Sequence, residues 1–491
     1  MGTTPPSLLF HFLSACMHVW RHPQAARLLA RLLLKWLAAC CMLSDGVRAE
    51  NQVGTLLLYD MQLPRPPGIT DPMAVAGYAA GGVAFGNAIW AYGSLLMLDP
   101  KASSHVEWPE SDRAQAWHNE RRASNSQLYP PPDVLFAAMG PFLLDGANEP
   151  WIHHLAKHIQ RVPPARSTPP NMVALGLGVQ NTRFEGSAVT STGDAVEETG
   201  LDLPSIRTCL RRALLNRNCG KNYTRTVNSF TLSGSSRALI EVLERQSPGG
   251  YGVRGTLTRD VLARHGYQRA QVLGCPSLFI NRRRRLGAHL RRKYDALVDA
   301  HRGSASANLR IAYNIFQDAN PVMDLAMLLL VQKYEGSFVI VQEITMLQQI
   351  HDRIYSLLGV RFPDSKVRFF YRIEDWLDAM RSADIQVGSK IHGAMASLAA
   401  ETPFLLLPPS WRVQEMADSM ALPALPICDW CKLTEWAANP TALGLVTLAA
   451  STFRAEEFDR TRQNLACKNL GLFNAAGLPL HPEVAAFCNE S

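Results

Sequence analysis

Ala383-Asp384-Ile385-Gln386-Val387-Gly388-Ser389-Lys390-Ile391-His392-Gly393-Ala394-Met395 reads as a buried strand that runs into a tight Gly/Ser turn and opens an alanine-rich helix. The same alternation extends in both directions. Upstream, Leu309 to Ile315 is a strand, Pro321 to Lys333 a helix, Phe338 to Gln342 a strand, Glu343 to Leu358 a helix, Val367 to Tyr371 a strand and Ile373 to Ser382 a helix. Downstream, helix Ile391 to Ala400 leads to strand Phe404 to Leu407 and helix Val413 to Met420. Continuous runs such as Phe338-Val339-Ile340-Val341 lack period-2 alternation, as expected of parallel strands covered on both faces by crossover helices.

The N-terminal half repeats the pattern with longer loops. Gly54 to Asp60, Val134 to Met139, Met172 to Val179 and Gln271 to Leu273 read as strands; Asn87 to Met97, a segment ending at Leu239 to Arg245, and Thr256 to His265 read as helices. The expected fold class is therefore α/β, with two Rossmann-like doubly wound domains facing a cleft and ligands beyond the strand C-termini. We expect a targeting or membrane-associating segment over 1–50, an N-terminal domain over 51–280, a basic linker over 281–307, a C-terminal domain carrying the donor site over 308–435, and a helical tail over 436–491. Thr182 to Asp202, rich in Gly, Ser, Thr and acids, reads as a surface insertion.

Composition bounds the function. With 491 residues, 47% apolar and 19% charged, the chain is long enough for two or three globular cores, and disorder, collagen and coiled coil are excluded over most of it. A mean hydropathy of -0.05 argues against a multi-span membrane protein. The net charge of +7 suits anionic small molecules or a membrane surface. The run Arg282 to Arg285 with Arg291, Arg292 and Lys293 lacks interleaved aromatics, so no nucleic-acid partner is expected; a solvated linker helix or a face for acidic glycans accounts for it. Ten cysteines are too sparse for a disulfide scaffold, and most read as small core residues. Cys428-Asp429-Trp430-Cys431 has no second such pair to complete a four-thiolate metal site.

Two strand-to-helix corners carry cations. Lys390 and His392 sit at a strand end beside a helix N-terminus, where an anion binds favourably; taken alone, the same pattern is also met by a core histidine and a solvated lysine. Arg254, in Gly252-Val253-Arg254-Gly255-Thr256, occupies a second corner, and its planar fork fits a carboxylate or phosphate, although an isolated arginine there is more often a surface group. Gly86-Asn87 and Gly176-Leu177-Gly178-Val179-Gln180 are backbone-permissive corners suited to close ligand approach. Cys275 before Pro276 reads as structural.

In combination and in order, Gly86-Asn87, Ala174 to Gln180, Gly252 to Gly255, Gly274-Cys275-Pro276-Ser277, Gly388 to Ala394, Thr402-Pro403 and Arg412 resemble the polysaccharide pyruvyl transferase family over roughly residues 53–425. The resemblance implies transfer of the pyruvyl group of phosphoenolpyruvate onto two hydroxyls of a glycan sugar, possible acceptors including galactose, with a cyclic ketal formed and phosphate released. It also implies a two-domain fold of the GT-B kind and no metal or other cofactor. On that basis Arg254 and Lys390 are expected to clamp the doubly anionic donor and His392 to move protons; Asn87, Gln180, Ser389, Gly393, Arg412 and Glu415 are expected to bind substrate. The family pattern usually has Arg two positions before the histidine; Lys390 stands there instead and supplies a point charge without a two-pronged contact. A nucleotide-sugar glycosyltransferase of the same fold and a non-catalytic glycan-binding relative are the alternatives.

Met1 to Ser44 contains no acidic residue, and Arg27, Arg31 and Lys35 recur along one helical face beside Leu28, Leu29, Leu32 and Leu33. A secretory signal or signal anchor, an organellar transit segment and a surface-lying anchor all fit. The secretory pathway or a Golgi membrane is the favoured location, and the acceptor patterns at Asn222 and Asn489 are compatible with it. A reporter fused after Glu50 is expected to leave the cytosol, as read by fractionation and microscopy; a diffuse cytosolic signal would remove all three targeting readings.

Overall fold

A computed structural model describes residues 53–58, 88–99, 103–107, 134–138, 143–144, 156, 171–180, 219–303, 307–315, 321–342, 351–352, 355, 359, 362–370, 372–426, 436–437 and 439–489. All of them belong to one compact unit, Val53–Trp117 with Pro131–Ser491. Asn87, the 182–202 insertion, the Cys428/Cys431 pair and the whole 1–50 segment lie outside the described residues.

Apolar runs without alternation become strands buried on both faces. In the first half β1 (Val53–Leu58), β2 (Ser103–Glu107), β3 (Val134–Ala138) and β5 (Asn171–Leu175) form a parallel sheet in the order β2-β1-β3-β5, while β4 (Leu143–Leu144) and β6 (Val179–Gln180) make a short parallel pair. Another parallel pair, β7 (Tyr251–Val253) and β8 (Ala270–Val272), prolongs the sheet through Leu177. The Leu177 amide donates to the Gly252 carbonyl at 3.1 Å, and the Arg254 amide donates to the Leu177 carbonyl at 2.9 Å. Along β5, Met172 and Ala174 face one apolar cluster, whereas Val173 and Leu175 face the main core; alternate side chains thus serve opposite layers. Helices α1 (Ala88–Leu95), α2 (Cys219–Ser229), α3 (Gly234–Gln246) and α4 (Thr256–Arg264) accompany this sheet.

The second sheet is parallel throughout, in the order β11-β10-β9-β12-β13, built from β9 (Ile311–Asn314), β10 (Phe338–Ile340), β11 (Val367–Arg368), β12 (Ile385–Gly388) and β13 (Phe404–Leu406). Its first strand lies in the centre and later strands are added to either side, which is the doubly wound arrangement. The strand order therefore reverses beside β9, the position at which doubly wound sheets bind ligands beyond their strand ends. Asn314 pairs with Ile340 on one side and Gly388 on the other, so three strand ends are level. A Cβ on Gly388 would lie 2.6 Å from both Cβ and O of Asn314, so only glycine lets β12 close on β9. At the opposite edge, the Asp384 carboxylate accepts from the Arg310 amide at 2.8 Å and pairs with its guanidinium, fixing the same two strands at their starts.

Helices α5 (Leu286–Gly303), α6 (Pro321–Lys333), α7 (Ile373–Ser382), α8 (Ile391–Ala399) and α9 (Trp411–Ser419) follow, and the tail supplies α10 (Ala442–Thr452), α11 (Ala455–Ala476) and α12 (Pro482–Ala485). The strands and helices expected for the second half are found within a few residues of their predicted bounds; 343–358 lies largely outside the described residues. The fold class is as expected: α/β, with two Rossmann-like parallel sheets.

The basic stretch differs from a solvated linker. It forms α5, which buries Leu286, Leu290 and Tyr294 at helical spacing and takes a cap from Asp459, whose carboxylate accepts from the Gly287 and Ala288 amides at 2.6 and 3.1 Å. Of its cations, Arg283 pairs with Glu401, Arg291 pairs with Asp295 and Lys293 donates to the Glu401 carbonyl, while Arg284, Arg285 and Arg292 are exposed. The dense arginines concealed an apolar stripe that one turn of periodicity reveals.

The tail reaches both sheets. Arg462 of α11 is 1% exposed and donates to the carbonyls of Leu278, Asn281 and Arg283, with its guanidinium over Phe487. Farther on, Asn171 at the start of β5 donates to the Ala476 carbonyl, and Leu98 bridges Leu480. Cys467 and Cys488 form a disulfide, so two of the cysteines expected as core residues are a crosslink; Cys275 is free and buried as expected. Among the described residues no helix is long and apolar enough to cross a membrane. Arg462→Met would leave the buried Leu278 carbonyl and two part-buried ones without this donor, and urea unfolding followed by tryptophan fluorescence should register a loss of about 3 kcal/mol.

Candidate active site

Each cation singled out in the sequence occupies a corner where a strand ends and a helix begins. Arg254 follows β7 and precedes α4; Lys390 is the N-cap of α8 after β12; Arg412 lies in the first turn of α9 after β13. Neither α8 nor α9 has a side-chain cap, so their first amides add partial positive charge to the same region.

Arg254 is 1% exposed. Its Nε donates to the Gly176 carbonyl at 2.6 Å, and its guanidinium carbon lies 3.8 Å from the centroid of Trp90. The two terminal amino groups are buried and have no hydrogen-bond partner among the described residues. The glycine corner is used by this side chain: a Cβ on Gly178 would stand 2.9 Å from Cδ of Arg254. Burial, and then repulsion from Arg412, bring the guanidinium down to about 9, so it remains a cation at neutral pH.

Trp90, from α1, lies between the two halves of the site. Its ring carries Arg254 and also meets the His392 imidazole edge-on, with centroids 4.4 Å apart. The Nδ1 of His392 is 3.0 Å from Oε1 of Gln342; its Nε2 is buried and has no partner among the described residues. Burial, followed by the charges of Lys390, Arg254 and Arg412, holds the imidazole well below its ordinary value, so it is neutral at pH 7 in the unliganded protein. Ser389 and Gly393 are buried in the same corner, and Gln386 beneath them has neither amide atom bonded among the described residues.

Glu415 does not face an open hydroxyl-binding position. It is 3% exposed, and its two carboxylate oxygens accept from the Thr258 amide at 2.9 Å and the Thr258 hydroxyl at 2.8 Å. It therefore caps α4, the helix that Arg254 introduces, and joins the halves of the site. A second contact between the halves is the edge-on packing of Trp411 on Tyr223. Gln180 ends β6, with nothing described of its side chain, and Asn87 lies outside the described residues.

Sequence reading missed Trp90, Asn314, Gln342 and Thr258. A signal existed for two of them: Asn314 and Gln342 are amide side chains ending otherwise apolar strand runs, at the end of a parallel sheet where ligands bind. Trp90 lies one turn beyond the Gly86-Asn87 corner that was chosen for its glycine. Thr258 becomes visible only through its pairing with a residue far along the chain.

Burial raises the Glu415 carboxyl from 4.5 to about 7, outweighing the Thr258 hydrogen bonds and the two arginines. An acid with a higher value in the folded than in the unfolded state binds more protons when folded. This carboxyl favours folding fully below pH 4.5 and loses that contribution as pH rises through about 7. Denaturation from pH 5 to 8 should show wild-type stability falling relative to Glu415→Gln by on the order of 3 kcal/mol.

No curated protein matches the chain. Loose structural likenesses exist to a UDP-N-acetylglucosamine 2-epimerase from Listeria monocytogenes (10% identity, 85% of this chain and 95% of that one, TM-score 0.37) and to WaaG, a glycosyltransferase involved in lipopolysaccharide biosynthesis (12%, 87% and 100%, TM-score 0.37). Another is Anabaena Alr3699/HepE in complex with UDP-glucose (10%, 85% and 100%, TM-score 0.35). Superpositions this loose carry no conclusion about chemistry. The family comparison is more specific, though narrower than the 53–425 span of the motif resemblance. Residues 200–410, which include Arg254, Lys390 and His392, match the polysaccharide pyruvyl transferase family.

Proposed function

We propose that this protein transfers the pyruvyl group of phosphoenolpyruvate to two hydroxyls of a glycan sugar, forming a ketal and releasing phosphate. The observation that carries the reading is Arg254: a buried cation with two amino groups unbonded among the described residues, stacked on an aromatic ring, with Lys390 and Arg412 near enough to repel the same imidazole. A ligand with both a phosphate and a carboxylate matches such a field.

In the reaction the methylene carbon of the donor gains a proton, and the adjacent carbon becomes oxocarbenium-like. One sugar hydroxyl adds to it and loses its proton, phosphate leaves with its bonding electrons, and the second hydroxyl adds and loses a proton. One proton ends on the methyl group and one on the departing phosphate, so the balance closes. His392 is neutral in the free protein because burial, and then the cations around it, disfavour its charged form; a bound trianionic donor offsets the cations and favours the imidazolium, which donates to the methylene carbon and then accepts a proton from a hydroxyl. Trp90 excludes water from one side and supports both groups.

The nucleotide-sugar alternative asks for an acid free to take a ribose, and Glu415 has both oxygens on Thr258. The Cys467–Cys488 disulfide supports an oxidising compartment and so the secretory pathway, with the 1–50 segment as membrane anchor. The test is phosphate release from phosphoenolpyruvate with a panel of galactosides, alongside mass detection of the ketal. Arg254→Lys is expected to raise the KM for phosphoenolpyruvate roughly 10- to 100-fold through loss of the fork, and His392→Ala to lower kcat at least about 100-fold. Release of nucleotide from a sugar nucleotide, with none of phosphate, would sink the proposal.

A further inference from the structure

Beneath His392 lies a chain of hydrogen bonds whose direction is fixed at one end. Asn314 is fully buried at the end of β9, and its Nδ2 donates to the Ile340 carbonyl at 3.4 Å. A backbone carbonyl only accepts, so the Asn314 amide cannot be turned round without setting two oxygens against each other. Its Oδ1 therefore faces outward and accepts from Nε2 of Gln342 at 3.2 Å. Gln342 is 3% exposed, and the same logic passes through it: with Nε2 committed to Asn314, Oε1 is the atom presented to Nδ1 of His392 at 3.0 Å. An amide oxygen meets that nitrogen favourably only if it carries hydrogen.

We propose that Gln342, oriented by Asn314, is the positioning residue of the site: it holds the imidazole proton of His392 on Nδ1 and leaves Nε2 as the atom through which protons pass. The role in turnover rests on the pyruvyl-transfer reading; the tautomer does not. Nε2 is buried and has no partner among the described residues, which is where an exchanging nitrogen has to be.

The neutral amide has a further effect that a carboxylate would not. Among the described residues, the charged groups acting on the imidazole are Lys390 on its own corner, Arg254 from the β7 corner and Arg412 from α9, all cations. Gln342 fixes the ring without adding a negative charge to oppose them. The ring therefore stays unprotonated until an anionic ligand arrives, and the proton is loaded only when there is something to protonate. A Glu at this position would keep the length of the side chain and supply the opposing negative charge that abolishes that dependence, while losing the hydrogen bond to Oδ1 of Asn314.

The test uses full-length protein with 15N-labelled histidine, the His392 resonances being assigned by their loss in His392→Ala. In unliganded wild type at pH 7, Nδ1 is expected to be the protonated, pyrrole-like nitrogen and Nε2 the pyridine-like one. Gln342→Met should give a mixture of tautomers, and Gln342→Glu should give a largely protonated ring. The opposite tautomer in wild type, or a tautomer unmoved by Gln342→Met, would overturn the proposal. Gln342→Glu is nearly isosteric and serves if the Met variant fails to fold. With phosphoenolpyruvate and acceptor, Gln342→Met should lower kcat roughly 100-fold with little change in the KM for the donor; an equal loss in both would assign Gln342 to donor binding and reject the positioning role. If wild type releases no phosphate from phosphoenolpyruvate, the function fails while the resonance measurement still decides the relay.

Discussion

A guanidinium removed from water and set against an aromatic face is the constraint on which the site depends. Arg254 gives one hydrogen bond to the Gly176 carbonyl and spreads its charge over Trp90, but neither contact neutralises it. Removing a cation from water costs several kcal/mol, and a carboxylate partner usually offsets this. The carboxyl nearest in electrostatic effect, Glu415, is engaged with Thr258 and is itself only partly ionised at neutral pH. The rest of the fold therefore has to hold Arg254 in place while leaving its charge available, and it does so with main-chain pairing through Leu177, the glycine at 178 and the capped helix that follows.

The same field governs the histidine. A ring surrounded by Lys390, Arg254 and Arg412 sheds its proton, and one anchored by neutral amides has no local reason to regain it. Charge supplied by a ligand is then the variable that changes its state. In the proposed reaction, donor recognition and proton transfer become two consequences of one electrostatic arrangement, built at strand ends that the sheet registers to the same level.

The second sheet was the most legible part of the sequence because its strands are short apolar runs separated by helices with regular periodicity, and local chemistry decides both. The two cation-bearing corners were legible for the same reason: Gly252 to Gly255 and Gly388 to His392 announce a turn by their glycines and a function by their charges. What was hidden depends on partners distant in the chain. Glu415, expected to bind substrate, is held by Thr258 from far away in the chain, and the stripe of Leu286, Leu290 and Tyr294 was obscured by arginines, one of whose counter-charges, Glu401, lies far downstream. The Cys467–Cys488 bridge could not be told from core cysteines without their separation in space.

The course of α11 bears on how the molecule is assembled. The helix grips the 278–283 segment through Arg462 and ends against β5, and the chain then returns to Leu98 and Met97 near its beginning. During synthesis the early strands emerge long before the element that covers them. The first half must wait on the ribosome with an apolar face uncovered until the final segment is made, which exposes it to chaperones and to premature association. A chain cut between its two sheets would separate neither half cleanly, because the last turns of the protein are part of the first layer it builds.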